Sequence, residues 1–454
     1  MVVGALKSNT VTIVGCGLAG CFLAVLLANR GYKVVMYERL SKEEFYDAAS
    51  KRSYNLVLFG YGITLLKKAG IWNEIKPHLT SICGTITHIA NQQNTVKSEV
   101  DQKNLPYFTI TRAKFAQLLL SSAAKKSTVN IFFNTTLLSV DRHHKTILIS
   151  NEKTGQISTQ LISVLIGADG ANSQVRSFMQ LGLQTLHTQE YSTWIYKQFV
   201  LASEAVNILK LEKNFVHIWT QKKAFITMHP YSNGSLGALL VLPKNDNSIK
   251  LNTKNGIKKF IEDNFPDLLP ALTEITQSLF ETSDGTFATI HTTPWYYKDF
   301  ITIIGDAAHG FYPFFGQGTT CAFSDAMTLV TLLDKYNNDW GKILPLYQKN
   351  RKENADALGE LSKEVIVKYL RNKKVDFEAV FDRIENWAHE AFPAFVNKPL
   401  SQSILTDPEN AAEYRKSDIK QKKLAKRFGI ILCITLLSVV STLIEKNNSA
   451  KLTK

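Results

Sequence analysis

Residues 301–325 read ITIIGDAAHGFYPFFGQGTTCAFSD. The apolar run Ile301–Ile304 predicts a short buried strand. Gly305-Asp306 turns the chain at its end and exposes one carboxylate. Gly316, Gln317 and Gly318 follow, and then Ala322, Phe323, Ala326 and Leu329 fall at helical spacing. A strand, a small-residue turn and a helix N-terminus gather backbone N–H donors at one spot, at the positive end of a helix dipole. Such a spot suits an anionic or electron-rich cofactor, although a single one is also an ordinary strand-to-helix connection.

A second stretch narrows the choice. Val11–Val14 predicts a strand, GCGLAG follows at Gly15, Gly17, Leu18, Ala19 and Gly20, and an apolar helix runs from Cys21 to Asn29 with Gly31 as its C-cap. Val34–Tyr37 is the next strand and ends on Glu38, with Arg39 beside it. This is the G-x-G-x-x-G fingerprint in its required setting, with an acidic residue about twenty positions on to accept ribose hydroxyls. Leu165–Gly170, LIGADG, repeats the strand-to-acid turn, with Ser173 and Arg176 downstream. From Tyr191 to Leu242 the chain becomes strand-like and aromatic (Trp194, Tyr196, Phe199, His217, Trp219, Phe225), broken by Asn233-Gly234, as in an antiparallel sheet.

The expected fold class is α/β. A Rossmann-like dinucleotide domain (1–185) is interrupted by an antiparallel-sheet substrate domain (186–295) and resumes at 296–335. A helical region (336–427) follows. Phe428–Ile444, seventeen mostly apolar residues without a charge, predicts a C-terminal membrane helix. Lys420, Lys422, Lys423, Lys426 and Arg427 precede it, which would place a single pass with the main body facing the cytosol. No N-terminal signal peptide is visible. The net charge of +14 is spread along the chain rather than focused, which argues against nucleic acid as a partner. The five cysteines form no C-x-x-C pair and no metal-spaced cluster with histidine, so no metal is expected.

In order and context, GxGxxG, GADG with its downstream arginine, and GDAAH followed by proline resemble the flavoprotein aromatic hydroxylases of the p-hydroxybenzoate hydroxylase fold. Arg52–Leu56 (RSYNL), His217-Ile218-Trp219, Phe265-Pro266-Asp267 and Pro313–Gly318 (PFFGQG) narrow the resemblance to the kynurenine 3-monooxygenase family. It covers essentially the whole chain. It implies FAD, with adenosine at Glu38 and Arg39, pyrophosphate at Gly15–Gly20, and further contacts from Arg112, Asp169 and Asp306. The flavin ring would lie near Gly316, Gly318, Thr319 and Thr320. NADPH or NADH would be a passing reductant, O₂ the oxygen source and a small aromatic compound the substrate, facing Pro313, Phe314, Phe315, His217 and Trp219. No catalytic acid or base is required, because the cofactor carries the hard chemistry. His309 reads as a structural histidine of its turn.

The chain departs from the family at the substrate clamp. No arginine lies between Arg52 and Arg112, and the stretch where the family holds its carboxylate-binding arginine reads Ile82-Cys83-Gly84-Thr85-Ile86. Lys97 and Lys368 offer charge without the planar fork of an arginine. The alternatives left open are a same-fold reductase or halogenase acting on a lipophilic substrate, or a non-catalytic flavin-binding redox scaffold. The sequence does not fix the oligomeric state.

Overall fold

Strands apolar on both faces need cover on both faces, and the chain gathers its own into one mostly parallel sheet. The structure, a computed structural model, describes residues 9–51, 55–89, 95–99, 106–221, 223–246, 251–370, 389 and 397–424. The sheet runs in the order Tyr296–Tyr297, Ile301–Ile303, Val164–Gly167, Thr10–Val14, Lys33–Tyr37, Val129–Phe132. Every neighbour is parallel except the edge strand Tyr296–Tyr297. The helix Leu18–Ala28 packs between the helices Arg112–Ala124 and Gly318–Tyr336, which explains why LAGCFLAVLLA is apolar all round. Phe22 and Phe323 stack there at 4.0 Å.

The second sheet has eight strands, in the order His309–Gly310, Gly285–Thr293, Leu186–Leu201, Leu236–Pro243, Phe225–Pro230, Phe215–Thr220, Gly84–Ile89, Thr95–Glu99. It is wider than the segment 186–295 in which an antiparallel sheet is expected. Gly84–Ile89 joins it by parallel pairing with Phe215–Thr220, and Thr95–Glu99 closes that edge. Those two strands come from the part of the chain assigned to the dinucleotide domain. A pairing across some 130 residues leaves no local mark in the sequence.

Alternation along these strands separates two cores. Ile226, Met228, Ala238, Leu240 and Trp219 pack with Ile257, Phe260, Ile261, Ile275 and Leu279 of the helices Lys254–Asn264 and Leu272–Glu281. Phe225, Leu239, Val241 and Phe287 pack on the opposite face with Tyr312 and Phe314.

The chain divides into two units, Met1–Lys373 with Leu405–Glu409, and Lys374–Ile404 with Asn410–Lys454. In the second unit Asn397 bonds the side chains of Gln421 (2.9 Å) and Ser417 (2.7 Å), folding that segment back on the helical residues 411–424. Among the described residues no helix is long and apolar enough to cross a membrane. The apolar run 428–444, expected to be an anchor, lies outside them, as do Arg52, Ser53 and Tyr54.

Candidate active site

Val14, Gly167 and Ile303 stand side by side in register, so the turns that follow them open at one place, the carboxyl edge of the parallel sheet. The three fingerprint glycines serve different ends. Gly15 has φ +98°, and a Cβ there would lie 2.5 Å from the Ala168 carbonyl oxygen. A Cβ on Gly20 would lie 2.1 Å from the Gly15 carbonyl oxygen. Gly17 is extended, and a Cβ would find its nearest neighbour only at 4.0 Å. Two glycines are thus demanded by close backbone packing, and the third leaves room beside the turn. The helix it opens has no side-chain cap and no acidic residue in its first turn. The same holds for Gly318–Tyr336, whose Gly318 also faces open space. Two long helices therefore present bare N–H groups and positive dipole ends at this edge.

The polar residues divide likewise. Glu38 is buried and accepts from the Cys16 N–H (2.9 Å) and the Leu40 N–H (3.2 Å), which pins the fingerprint turn to the neighbouring strand end. Arg39 is exposed. Asp169, expected to reach a cofactor, spends its oxygens on Ser173 Oγ (2.5 Å) and the N–H groups of Gln174 (2.7 Å) and Val175 (3.1 Å). It caps the helix Gln174–Gln180. Burial raises its pKa despite those bonds. Arg176 is buried and donates to the carbonyls of Ala307 (2.8 Å) and Ala171 (2.7 Å), so one guanidinium ties the second turn to the third. Asp306 is exposed in the third turn. Arg112 is half-buried at the start of its helix, and Thr319 is half-buried. Thr320 is buried, and its Oγ1 has no hydrogen-bond partner among the described residues.

Beneath the third turn lies a charged cluster that no sequence motif announces. Asp325 accepts from the Gly305 N–H (2.9 Å), His309 Nε2 (2.6 Å) and Arg351 Nε (3.0 Å). Arg351 also bonds Glu409 (2.8 Å) and lies 3.3 Å from Cys321 Sγ. Burial is the largest influence on His309 and opposes its charge, but Asp325 and Cys321 overturn it and hold the imidazole well above its ordinary range. His309, Cys321 and Asp325 form a set of metal-ligating types, but the Arg351 guanidinium already supplies the cation there. His309 is locked as a structural ion pair.

The residues expected around the substrate are split by the second sheet. Phe314 meets Phe287 and Phe225 edge-on at 5.2 and 5.7 Å, and Pro313 and Phe315 share its half-buried turn. His217 and Trp219 lie on the opposite face, opposite Met228 and Ile226 of the helix-covered core. There Trp219 stacks on His88 at 3.9 Å, and His88 bonds His217 at 3.0 Å. The sheet thus stands between them and the Phe314 side.

Open glycines at two bare helix N-termini, with the unsatisfied Thr320 hydroxyl nearby, fit a long dinucleotide cofactor. A Rossmann-type sheet with three such turns, joined to a sheet whose aromatic face meets the third, defines a FAD-binding flavoprotein of the aromatic-hydroxylase fold. Residues 8–362 match the family model described as FAD binding domain. The kynurenine 3-monooxygenase of Legionella pneumophila (strain Corby) is 31% identical over 410 residues, 87% of this chain and 90% of that protein. The enzyme of the same name from Dictyostelium discoideum is 29% identical over 422 residues, covering 89% and 90%. Among solved structures, the tetrameric form of 2-methyl-3-hydroxypyridine-5-carboxylic acid oxygenase matches with TM-score 0.67 at 19% identity, covering 88% of this chain and 97% of that one. Pseudomonas aeruginosa PqsL, described as a probable FAD-dependent monooxygenase, matches with TM-score 0.65 at 20% identity, covering 82% and 99%. This chain belongs to the kynurenine 3-monooxygenase family of FAD-dependent aromatic monooxygenases.

Proposed function

We propose that the protein hydroxylates an aromatic substrate of the kynurenine type, with NADPH or NADH as reductant and O₂ as oxygen source. The observation that carries this reading is the alignment of three cofactor turns at one sheet edge, with the aromatic face around Phe314 beside the third. Gly15–Gly20 would hold the pyrophosphate, Glu38 and Arg39 the adenosine end, and Arg112, Asp306, Gly316, Gly318, Thr319 and Thr320 the flavin end. Asp169 would act through the helix it caps. Bound FAD supplies oxygen chemistry that side chains lack. The chain's own residues bind, orient and exclude water.

The substrate end differs from the family pattern. Strand Gly84–Ile89 carries no arginine. Lys97 bonds Glu212 at 2.8 Å and lies over the Phe215 ring, on the helix-covered side of the sheet. It is thereby kept from the Phe314 face and does not serve there as a carboxylate clamp. The side chain of Lys368 lies outside the described residues. We also assign the run 428–444 to a membrane anchor, on its composition and the basic cluster before it.

The test is NADPH consumption by the purified yellow protein with and without L-kynurenine, with the product followed by mass. Stimulated consumption with a product one oxygen atom heavier supports the reading. Bound FAD without stimulation by kynurenine or other amino- and hydroxy-aromatics would remove it.

A further inference from the structure

On the face of the second sheet that meets the cofactor turns, the imidazole of His229 stands beside aromatic and aliphatic side chains. Phe225, Thr227 and His229 alternate onto the Phe314 side of the strand Phe225–Pro230. The Nδ1 atom of His229 is shut off from solvent and has no hydrogen-bond partner among the described residues. Asn55, buried at the start of the strand Asn55–Phe59, lies against the same place. Its amide nitrogen donates to the carbonyls of His229 (3.0 Å) and Pro230 (3.2 Å), and its Oδ1 is also buried without a partner among the described residues. Two residues along that strand, Val57 is the nearest neighbour that a Cβ on Gly316 would meet, at 3.1 Å. The two orphan atoms therefore lie in the seam between the second sheet and the turn expected to hold the flavin ring. Buried polar atoms are almost always satisfied, so a pair of orphans at one seam calls for a partner outside the chain.

We propose that His229 and Asn55 form the polar end of the substrate pocket and select an aromatic compound carrying an amino or hydroxyl group on or beside its ring. This rests on the monooxygenase reading above and adds the groups that set specificity. Asn55 Oδ1 accepts only, because the amide nitrogen is fixed by two carbonyls. Burial holds the His229 imidazole down to about 4, so it is neutral at physiological pH and can accept or donate. An acceptor beside a neutral ring suits an N–H or O–H donor and repels a carboxylate.

The test compares the wild-type holoenzyme with His229→Leu and His229→Gln. The probes are L-kynurenine against its analogue lacking the ring amine, and 2-aminoacetophenone against acetophenone. Affinity is read from the perturbation of the flavin absorption spectrum, alongside KM and kcat. The wild type should prefer the donor-bearing member of a pair by about tenfold to a hundredfold, the range seen when a buried polar site is left unpaired. His229→Leu should bind both members alike, and His229→Gln should regain part of the preference. Unchanged FAD content and melting temperature establish that a variant is folded. If the leucine variant does not fold, the glutamine variant and the wild-type preference decide. Equal binding of both members by the wild type, or discrimination unchanged in the variants, overturns the assignment. Turnover of either member in that event leaves the monooxygenase reading intact, so the two failures are distinguishable.

Discussion

His309 Nε2 and Asp325 Oδ2 meet at 2.6 Å in the interior, with side chains 3% and 0% exposed. Asp325 also receives Arg351, whose other end meets Glu409, and the Gly305 N–H, so one carboxylate holds both cations and fixes the turn that presents Asp306. Asp325→Asn leaves His309 without its counter-charge and Arg351 with Glu409 alone, in a site closed to water. It should cost about 3–5 kcal/mol of stability and most of the bound FAD. Urea unfolding of the apoprotein, with flavin content by absorbance, measures both. A loss below about 1 kcal/mol would contradict this account of the cluster.

The same pair sets an alkaline limb. The folded-state pKa of His309 is raised well above its ordinary 6.5, so the stability it contributes is fully present below that value and is lost as pH rises through the raised one. Asp325 is lowered by His309 and Arg351 against the larger opposing effect of burial. Its contribution persists until pH falls below the ordinary aspartate value. Unfolding free energy of the apoprotein should therefore decline above neutral pH, and less steeply in His309→Gln. Equal slopes would remove His309 as the cause.

An acid limb should come from other histidines. Burial holds His88 and His229 near 4, with His217 adding to the effect on His88. Between about 6.5 and 4 the unfolded chain takes up protons that the folded chain refuses, so stability falls as pH drops through that window. His88→Phe keeps a flat ring against Trp219 and should flatten part of the slope. The check is the number of protons taken up on unfolding at pH 5.

Gly17 and Gly20 should separate binding from folding. Gly20→Ala sets a methyl group against the Gly15 carbonyl and should destabilise the apoprotein by about 3 kcal/mol or more. Gly17→Ala meets nothing nearer than the Ala168 carbonyl oxygen at 4.0 Å and should leave the apoprotein melt unchanged. It should still weaken FAD binding at least about tenfold, because its methyl group fills the space of the ligand. Thermal melts and FAD titration of both apoproteins read the contrast.

The anchor proposal has its own check. Full-length protein should sediment with membranes at low and high salt, and protein ending at Lys426 should not. Recovery of the full chain in the soluble fraction would sink it.

Much of the cofactor side was legible, because its signals are local. Gly15, Gly17, Gly20 and Glu38 sit at spacings that a tight turn between strand and helix imposes, and the exposure of Asp306 follows from a turn after an apolar strand. The rest depends on faces and distances that a linear reading does not hold. His217 and Trp219 are placed at the pocket by the family resemblance, but only the pairing partners Met228 and Ile226 reveal which face they occupy. Asp325 sits in a helix that reads as core, and its partner Arg351 lies 26 residues on, brought near by helix packing. His229 stands between the apolar Met228 and Pro230 near the end of its strand. Its one signal was an ionisable side chain in a strand that otherwise has none.

The place of Ile301–Ile303 beside Val164–Gly167 also governs the order in which the protein can be made. About 130 residues separate the two strands, which at ordinary translation speeds is roughly 7–26 s of synthesis. During that interval the strand Val164–Gly167 has an unpaired edge, and neither the third turn nor its buried charges exist. A cofactor held at all three turns would therefore stabilise the finished polypeptide and not the growing one. A product released before Asp306 has no complete cofactor site, and its open edge is left to chaperones or proteases.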